Sequence, residues 1–383
     1  MNDEKFLDIA PIEDKDVKRT IQELLVDPGF IHAVKYILPD IDWDEFSAEM
    51  SKYNSKFDFQ SRMIAPTVWG IARKTSSSLT ASGWENLIDG KSHLVISNHR
   101  DIVLDAGLLN ILLNEKGFPT TEIAIGDNLL IHPWIEKLVR LNKSFLVKRG
   151  VSVRQMLEVS AHMSEYIHYT INQKKESVWL AQREGRAKDA NDRTQESLLK
   201  MLALAPKSGT FPEHIKELNV VPLSISYEYD PCDYLKAMEF QQKRDNPEFK
   251  KSQRDDLLNM EIGLLGFKGN IHFRFGSEIN DRLSGVSSFD RKEQPGAVAR
   301  IIDKEIHSNY EIFPCNYIAY DQLEGSDRFK DKYTEEQVSG FEKYLRKQMD
   351  KIELENRDDD FLMNKLLTMY SNTLRNYLIA KEG

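Results

Sequence analysis

Residues 97–110, SNHRDIVLDAGLLN, place a histidine, an arginine and two aspartates within seven positions. A neutral imidazole can take a proton from a substrate, and a carboxylate on its second ring nitrogen holds the ring and stabilises the cation that forms. We therefore predict that His99 is a general base and that Asp105 orients it, with Asp101 as the rival partner. A structural alternative fits the same residues, in which Asp105 caps a helix and His99 is an ordinary turn residue.

The triplet His99-Arg100-Asp101 also invites comparison with the catalytic loop of protein kinases. There the aspartate accepts a hydroxyl proton, and an asparagine five residues later holds a metal ion. The corresponding position in this sequence is Ala106, and neither a GxGxxG loop nor a DFG triplet is found. These differences exclude the kinase interpretation.

The elements that must hold these residues are short apolar strands that alternate with helices. We predict strands over residues 92–98, 121–127, 143–149, 177–182, 219–229 and 269–279. A helix follows the first strand and stops at Gly117, and a second begins after Ser152, with a core face formed by Met156, Leu157, Met163, Ile167 and Ile171. This alternation predicts an α/β fold with a mostly parallel central sheet and helices on both faces.

Helical patterns also precede and follow the alternating part of the chain. We predict an N-terminal helical region over residues 1–85, an α/β domain over 86–310 and a C-terminal helical extension over 311–383. The polar segment 231–262 is predicted to be a helical excursion from the α/β domain.

In this arrangement His99 directly follows a strand and precedes a helix. Ligands of open parallel sheets bind at the carboxyl edge of the strands, so His99 is predicted to lie at a binding site. The positive end of the following helix favours the uncharged imidazole, which can accept a proton. Residues 140–154 contain five basic residues and no acidic one, and we expect an anion to be bound there.

Four segments in one order carry a family resemblance over roughly residues 90–230. They are NHRDIVLD (98–105), FLVKRG (145–150), REGR (183–186) and VVPLSI (220–225). The segments resemble the four sequence blocks of the glycerolipid acyltransferase family, which includes glycerol-3-phosphate and 1-acylglycerol-3-phosphate acyltransferases.

The resemblance implies a role for each matching residue. His99 and Asp105 would be catalytic, and the binding residues for the acceptor would be Arg149, Lys148, Glu184, Gly185 and Arg186. Arginine forks bind phosphate oxygens bidentately, which favours Arg149 and Arg186. Lys148 is expected to point to the opposite face of its strand.

Two departures from the family pattern affect these assignments. The spacing from His99 to Asp105 is one residue longer than in the H-x4-D block, where Leu104 would be the acid. In the third block Arg186 follows Gly185 directly, whereas many relatives have a threonine between the two.

The implied reaction is transfer of a fatty acyl group from acyl-CoA or acyl-ACP to a hydroxyl of glycerol 3-phosphate or 1-acylglycerol 3-phosphate, in phospholipid synthesis. Because a thioester is already activated, we expect neither a metal, a cofactor nor a covalent intermediate. Alternatives are acylation of another lysolipid, such as a lyso-ornithine lipid, and a non-catalytic membrane-surface protein with the same fold.

Composition narrows the class of protein further. A formal charge of −9 argues against a nucleic-acid partner. No run of 18 apolar residues is present and the chain begins with an acidic segment, so we expect a cytoplasmic protein, peripheral at the inner face of a membrane. Residues 129–141 could contact the membrane or form an ordinary buried helix. Cys232 and Cys315 are expected to be free thiols.

Overall fold

A computed structural model describes residues 3–382 of the chain, and within them seven strands form one sheet. The strands are β1 (Ser78–Ser82), β2 (Leu94–Ser97), β3 (Glu122–Gly126), β4 (Ser144–Val147), β5 (Val178–Ala181), β6 (Val220–Tyr227) and β7 (Asn270–Phe275). Their order is β1-β7-β6-β2-β5-β3-β4. β6, β2, β5, β3 and β4 are parallel, whereas β7 runs antiparallel to β6 and parallel to β1. The predicted mostly parallel α/β sheet is confirmed.

Helices precede, connect and follow the strands. They are α1 (Asp14–Leu25), α2 (Pro28–Ile37), α3 (Trp43–Met50), α4 (Lys56–Phe59), α5 (Ala65–Thr75), α6 (Leu104–Glu115), α7 (Pro133–Leu141), α8 (Val153–Tyr169), α9 (Glu196–Leu202), α10 (Phe211–Lys216), α11 (Asp233–Asp245), α12 (Gln253–Leu265), α13 (Gln294–Ser308), α14 (Pro314–Glu324), α15 (Glu335–Met349) and α16 (Asp359–Glu382). None of the helices described combines the length and apolarity that a membrane span requires.

Alternating side chains of the central strands supply two cores, one on each face of the sheet. Leu94 and Ile96 of β2 pack with residues of α8, α9 and α13, whereas Val95 packs with residues of α5 and α6. Two further clusters lie outside the sheet. One joins α1 and α2 to α7, and the other joins α11 to α14, α15 and α16.

The structure corrects two of the sequence predictions. Residues 78–82 form a strand inside the region 1–85 that was predicted to be helical, because β1 is a short polar segment that pairs with β7, with Ser78 opposite Asn270. The first turns of α8 do not reach the core. Met156 and Leu157 are 53% and 66% exposed, and the sheet is covered by the later turns that carry Met163 and Ile167.

Candidate active site

His99 lies two residues beyond β2, the strand between β5 and β6 at the centre of the sheet. Its Nδ1 is 2.8 Å from Oδ2 of Asp105, a fully buried carboxylate in the first turn of α6. The same Oδ2 accepts the backbone N–H groups of Arg100 (2.6 Å) and Asp101 (3.1 Å). Three donors therefore hold one carboxylate oxygen in place. The imidazole is 14% exposed, and its Nε2 remains available to a ligand.

Asp101 has a different task in this loop. Its Oδ1 accepts the N–H groups of Val103 (2.9 Å) and Leu104 (2.7 Å), which begin α6 and have no partner within the helix. Burial, and then the neighbouring Asp105, raise the pKa of Asp101 above its usual value. The structure thus places Asp105 on the imidazole and Asp101 at the helix N-terminus.

Two aromatic side chains of the strands on either side of β2, Trp179 of β5 and Tyr227 of β6, lie near this loop. Trp179 of β5 meets the His99 ring edge-on, with 5.6 Å between the ring centroids, and its Nε1 donates to Ser97 Oγ (3.0 Å). Burial raises the pKa of Tyr227 well above its usual value, and Asp105 and Asp101 raise it further. Neither residue was predicted to belong to the site, because both lie in ordinary apolar strand segments.

The basic residues of the second sequence block point to opposite sides of β4. Arg149 is directed to the side of His99, where its guanidinium pairs with Glu184 (2.6 Å) and its backbone N–H donates to Asp127. Lys148 is directed away and pairs with Asp8 (2.8 Å), so the structure does not bring it to His99. The alternation of a strand explains this difference.

The third block follows β5 as a tight loop. Gly185 has a φ of +67°, a left-handed conformation that favours glycine. Arg186 turns from this loop under α12, where Nη2 donates to Asn259 Oδ1 (3.0 Å). Its Nη1 is buried, and no residue of the described chain accepts a hydrogen bond from it.

His99 faces a cavity of about 1000 Å³. At one end the cavity wall is strongly basic, with six cationic side chains and three acidic ones. The cationic residues are Arg149, Arg183, Arg186, Lys188, Lys236 and Lys251. The acidic residues are Glu184, Asp256 and Glu261. Lys188, Lys236 and Lys251 were not predicted to be site residues, since lysines in polar helical segments usually lie in solvent.

From this basic end an apolar limb extends along β3. Its wall includes β3 from Ile123 to Gly126, and Ser144 marks the amino end of the neighbouring strand β4. Helices α2, α5, α6 and α7 close the limb with Phe30, Val34, Met63, Val68, Leu104, Trp134 and Leu138. At ~3.3 Å per strand residue, the limb reaches roughly 10 Å below the edge that carries His99.

Helix α7, in the segment considered for membrane contact, makes its polar and aromatic contacts within the protein. Trp134 packs against Phe30 with 6.1 Å between ring centroids, and Lys137 pairs with Glu23 (2.7 Å). Arg140 donates to the carbonyl oxygen of Ala10 (2.9 Å). The structure therefore favours the packed-helix interpretation of residues 129–141.

The comparison with protein-family models agrees with the resemblance in the sequence. The model of the acyltransferase family matches residues 78–226, from the start of β1 almost to the end of β6. No curated protein matches the sequence significantly. Among solved structures, the chain is similar to the crystal structure of the 1-acyl-sn-glycerophosphate (LPA) acyltransferase PlsC from Thermotoga maritima. The TM-score is 0.36 at 13% identity, with 76% of this chain and 97% of that chain covered.

Proposed function

We propose that the protein moves a fatty acyl group from an acyl thioester to a hydroxyl of glycerol 3-phosphate or 1-acylglycerol 3-phosphate, and the match of the acyltransferase family model to residues 78–226 supports this proposal. The observation that carries this proposal is the His99–Asp105 pair, which faces a cavity with one basic end and one apolar limb. Such a cavity matches two substrates that join a fatty chain to a phosphate-bearing alcohol.

The reaction begins with the acceptor hydroxyl at Nε2 of His99. The imidazole takes the hydroxyl proton while the oxygen attacks the thioester carbonyl carbon, and Asp105 stabilises the imidazolium that results. As the tetrahedral intermediate collapses, the carbon–sulfur bond breaks and the imidazolium returns the proton to the leaving thiolate. An ester bond has formed, a thiol is released, and His99 is again neutral.

The remaining residues bind and orient the two substrates. Arg149 and Arg186 are the phosphate ligands that we propose for the acceptor, with Glu184 holding Arg149 and Gly185 letting the loop turn close to the ligand. Lys148 is no longer proposed as a ligand, because it pairs with Asp8 on the other side of β4. The acyl chain of the donor, acyl-CoA or acyl-ACP, lies in the apolar limb, where its methylene groups leave water.

Membrane contact is proposed at the mouth of the cavity. Tyr36, Val103, Leu257 and Leu265 line the cavity and are also between 40% and 56% exposed. Tyr36 of α2 donates to Glu261 of α12 (2.5 Å), so the two helices meet at this mouth. A lipid surface on these side chains would let an acyl chain enter the limb without crossing water.

The direct test is product analysis with the purified protein. We expect labelled glycerol 3-phosphate or 1-acylglycerol 3-phosphate to gain an acyl group from acyl-CoA or acyl-ACP. Acceptors are compared with a lyso-ornithine lipid, which carries no phosphate. A protein that acylates none of these acceptors would contradict the proposed function, and one that prefers the lyso-ornithine lipid would change its acceptor.

A further inference from the structure

Three lysines share one buried carboxylate beside the cavity, and two of them, Lys188 and Lys251, line its wall. Glu239 of α11 is 2% exposed and pairs with Lys188, with Lys243 (2.8 Å) and with Lys251 (3.1 Å). When all three ammonium groups are protonated, this cluster carries two more positive charges than negative ones. Charge that is withdrawn from water without a counter-ion is costly, so the cluster favours a bound anion.

Arg186 extends the cationic surface beside this cluster. Its Nη2 donates to the neutral amide of Asn259, and its Nη1 is buried without a hydrogen-bond acceptor among residues 3–382. The nearby carboxylate of Asp230 is already paired with Lys236. Lys188 and Lys251 line the cavity beside Arg186, and because they share the single carboxylate of Glu239, their ammonium groups keep donors for a ligand.

The pKa values of the lysines are consistent with a site for an anion. Burial, and then the positive charges of Lys251 and Lys243, lower the pKa of Lys188 to about 7. Burial, and then Arg186, lower that of Lys251. An anion placed between these groups would offset the mutual repulsion of the cations and favour their charged forms.

The strand order places this cluster and Arg149 at different positions along the edge of the sheet. Helices α11 and α12 follow β6, the direct neighbour of β2, whereas β4 is three strands away from β2. At ~4.8 Å per strand, the strand before Arg149 ends ~14 Å from the strand before His99. Arg149 is moreover paired with Glu184, so it is the less available cation.

We propose that Lys188 and Lys251, held by Glu239 and joined by Arg186, bind a phosphate group of one of the two substrates. This proposal rests on the proposed function, and it adds to the loop after β5 a ligand, Lys251, from the linker between α11 and α12, which lies outside the matched residues 78–226. The phosphate belongs either to the acceptor or to the pantetheine or nucleotide part of the donor. The lysines bind it and take no part in proton transfer.

Steady-state kinetics of Lys188→Gln and Lys251→Gln test the proposal, with Lys243→Gln as the matched control. Lys243 pairs with the same Glu239 oxygen as Lys188, but its side chain is 51% exposed and the cavity wall does not include it among the described residues. We expect the KM of the phosphate-bearing substrate to rise about tenfold in the first two variants, with kcat changed less than twofold. Lys243→Gln should leave KM within twofold of the wild type.

Which KM rises identifies the source of the phosphate. A rise for glycerol 3-phosphate or 1-acylglycerol 3-phosphate assigns the site to the acceptor, and a rise for acyl-CoA or acyl-ACP assigns it to the donor. The proposal is wrong if no KM changes. It is also wrong if Lys243→Gln raises KM as much as the other two variants, because the loss of any ion pair with Glu239 would then explain the rise in KM.

A binding measurement separates this proposal from the proposed function. Titration of the full chain with inorganic phosphate is expected to show binding that weakens about tenfold in Lys188→Gln and Lys251→Gln but not in Lys243→Gln. Binding with this pattern supports the site even if the protein acylates no acceptor. Equal phosphate binding by all four proteins overturns the site even if acyl transfer is observed.

Discussion

The two ends of the cavity differ in where their residues come from along the chain. The reactive and basic end is built mainly from loops that directly follow β2, β4 and β5, together with α11 and α12. The apolar limb is built from side chains of α2, α5, α6 and α7 and from β3, which lie far apart in sequence. Chemistry is thus concentrated in short contiguous segments, whereas the shape that selects an acyl chain depends on the packing of many helices.

The largest expected effect is at the reactive end, on removal of the imidazole. We expect His99→Ala to lower kcat by on the order of 10²–10⁴, since a positioned general base contributes about that much. The measurement is acyl transfer with saturating donor and acceptor. His162→Ala is the matched control, because His162 pairs with Asp8 (3.0 Å) away from this cavity. Unchanged transfer by His99→Ala would indicate that the domain is not catalytic through this residue.

The next prediction compares substitutions of the two aspartates in the loop that carries His99. Asp105→Asn removes the charge that stabilises the imidazolium, so we expect kcat to fall about 100-fold. Asp101→Asn keeps an oxygen for the N–H groups of Val103 and Leu104, and asparagine caps helices as well as aspartate does. We expect this variant to stay within about threefold of the wild type. An inactive Asp101→Asn beside an active Asp105→Asn would reverse the assignment of the orienting residue.

The contrast between the two ends also explains what the sequence could reveal. His99 and Asp105 are six residues apart in one turn, so their contact follows from local structure. The strands β2 to β7 were predictable because each is apolar or alternating over several residues. β1 was not, since Ser78–Ser82 is polar and is defined only by pairing with β7 about 190 residues later.

Long-range packing explains why other parts of the site could not be predicted from the sequence. Lys188 lies in the polar loop after β5 and Lys251 in the polar segment before α12, and their meeting at Glu239 depends on how α11 folds back onto the sheet domain. Trp134 and Lys137 fit a membrane-surface pattern equally well, and only the position of α1 and α2 shows that they contact Glu23 and Phe30 of the same chain.

At the apolar limb we expect a change of chain-length preference with little effect on chemistry. Ser144 is 3% exposed at the amino end of β4, so Ser144→Leu places bulk where the limb ends. The variant should lose about tenfold in kcat/KM for long-chain donors relative to short-chain ones. Stability should fall by about 1–3 kcal/mol, as is typical when a buried site is overpacked.

Ser144→Ala is the control for this test, because it removes the hydroxyl without filling the limb. A panel of acyl donors of increasing length, assayed with both variants, separates the two effects. If Ser144→Leu reduced transfer equally for every chain length, the limb would not be the acyl site.

The smallest expected effect is at the cavity mouth. Leu257→Gln replaces a leucine that is 43% exposed and lines the cavity. Insertion of a leucine side chain of this exposure into a lipid surface is worth about 1 kcal/mol, so binding to phospholipid vesicles should weaken about fivefold. Co-sedimentation of the full chain with vesicles measures this change. Ile379→Gln on α16 is the matched control, since Ile379 is 62% exposed and lies outside the cavity wall. Equal loss of binding in both variants would mean that general surface apolarity, rather than the mouth of the cavity, attracts the protein to lipid.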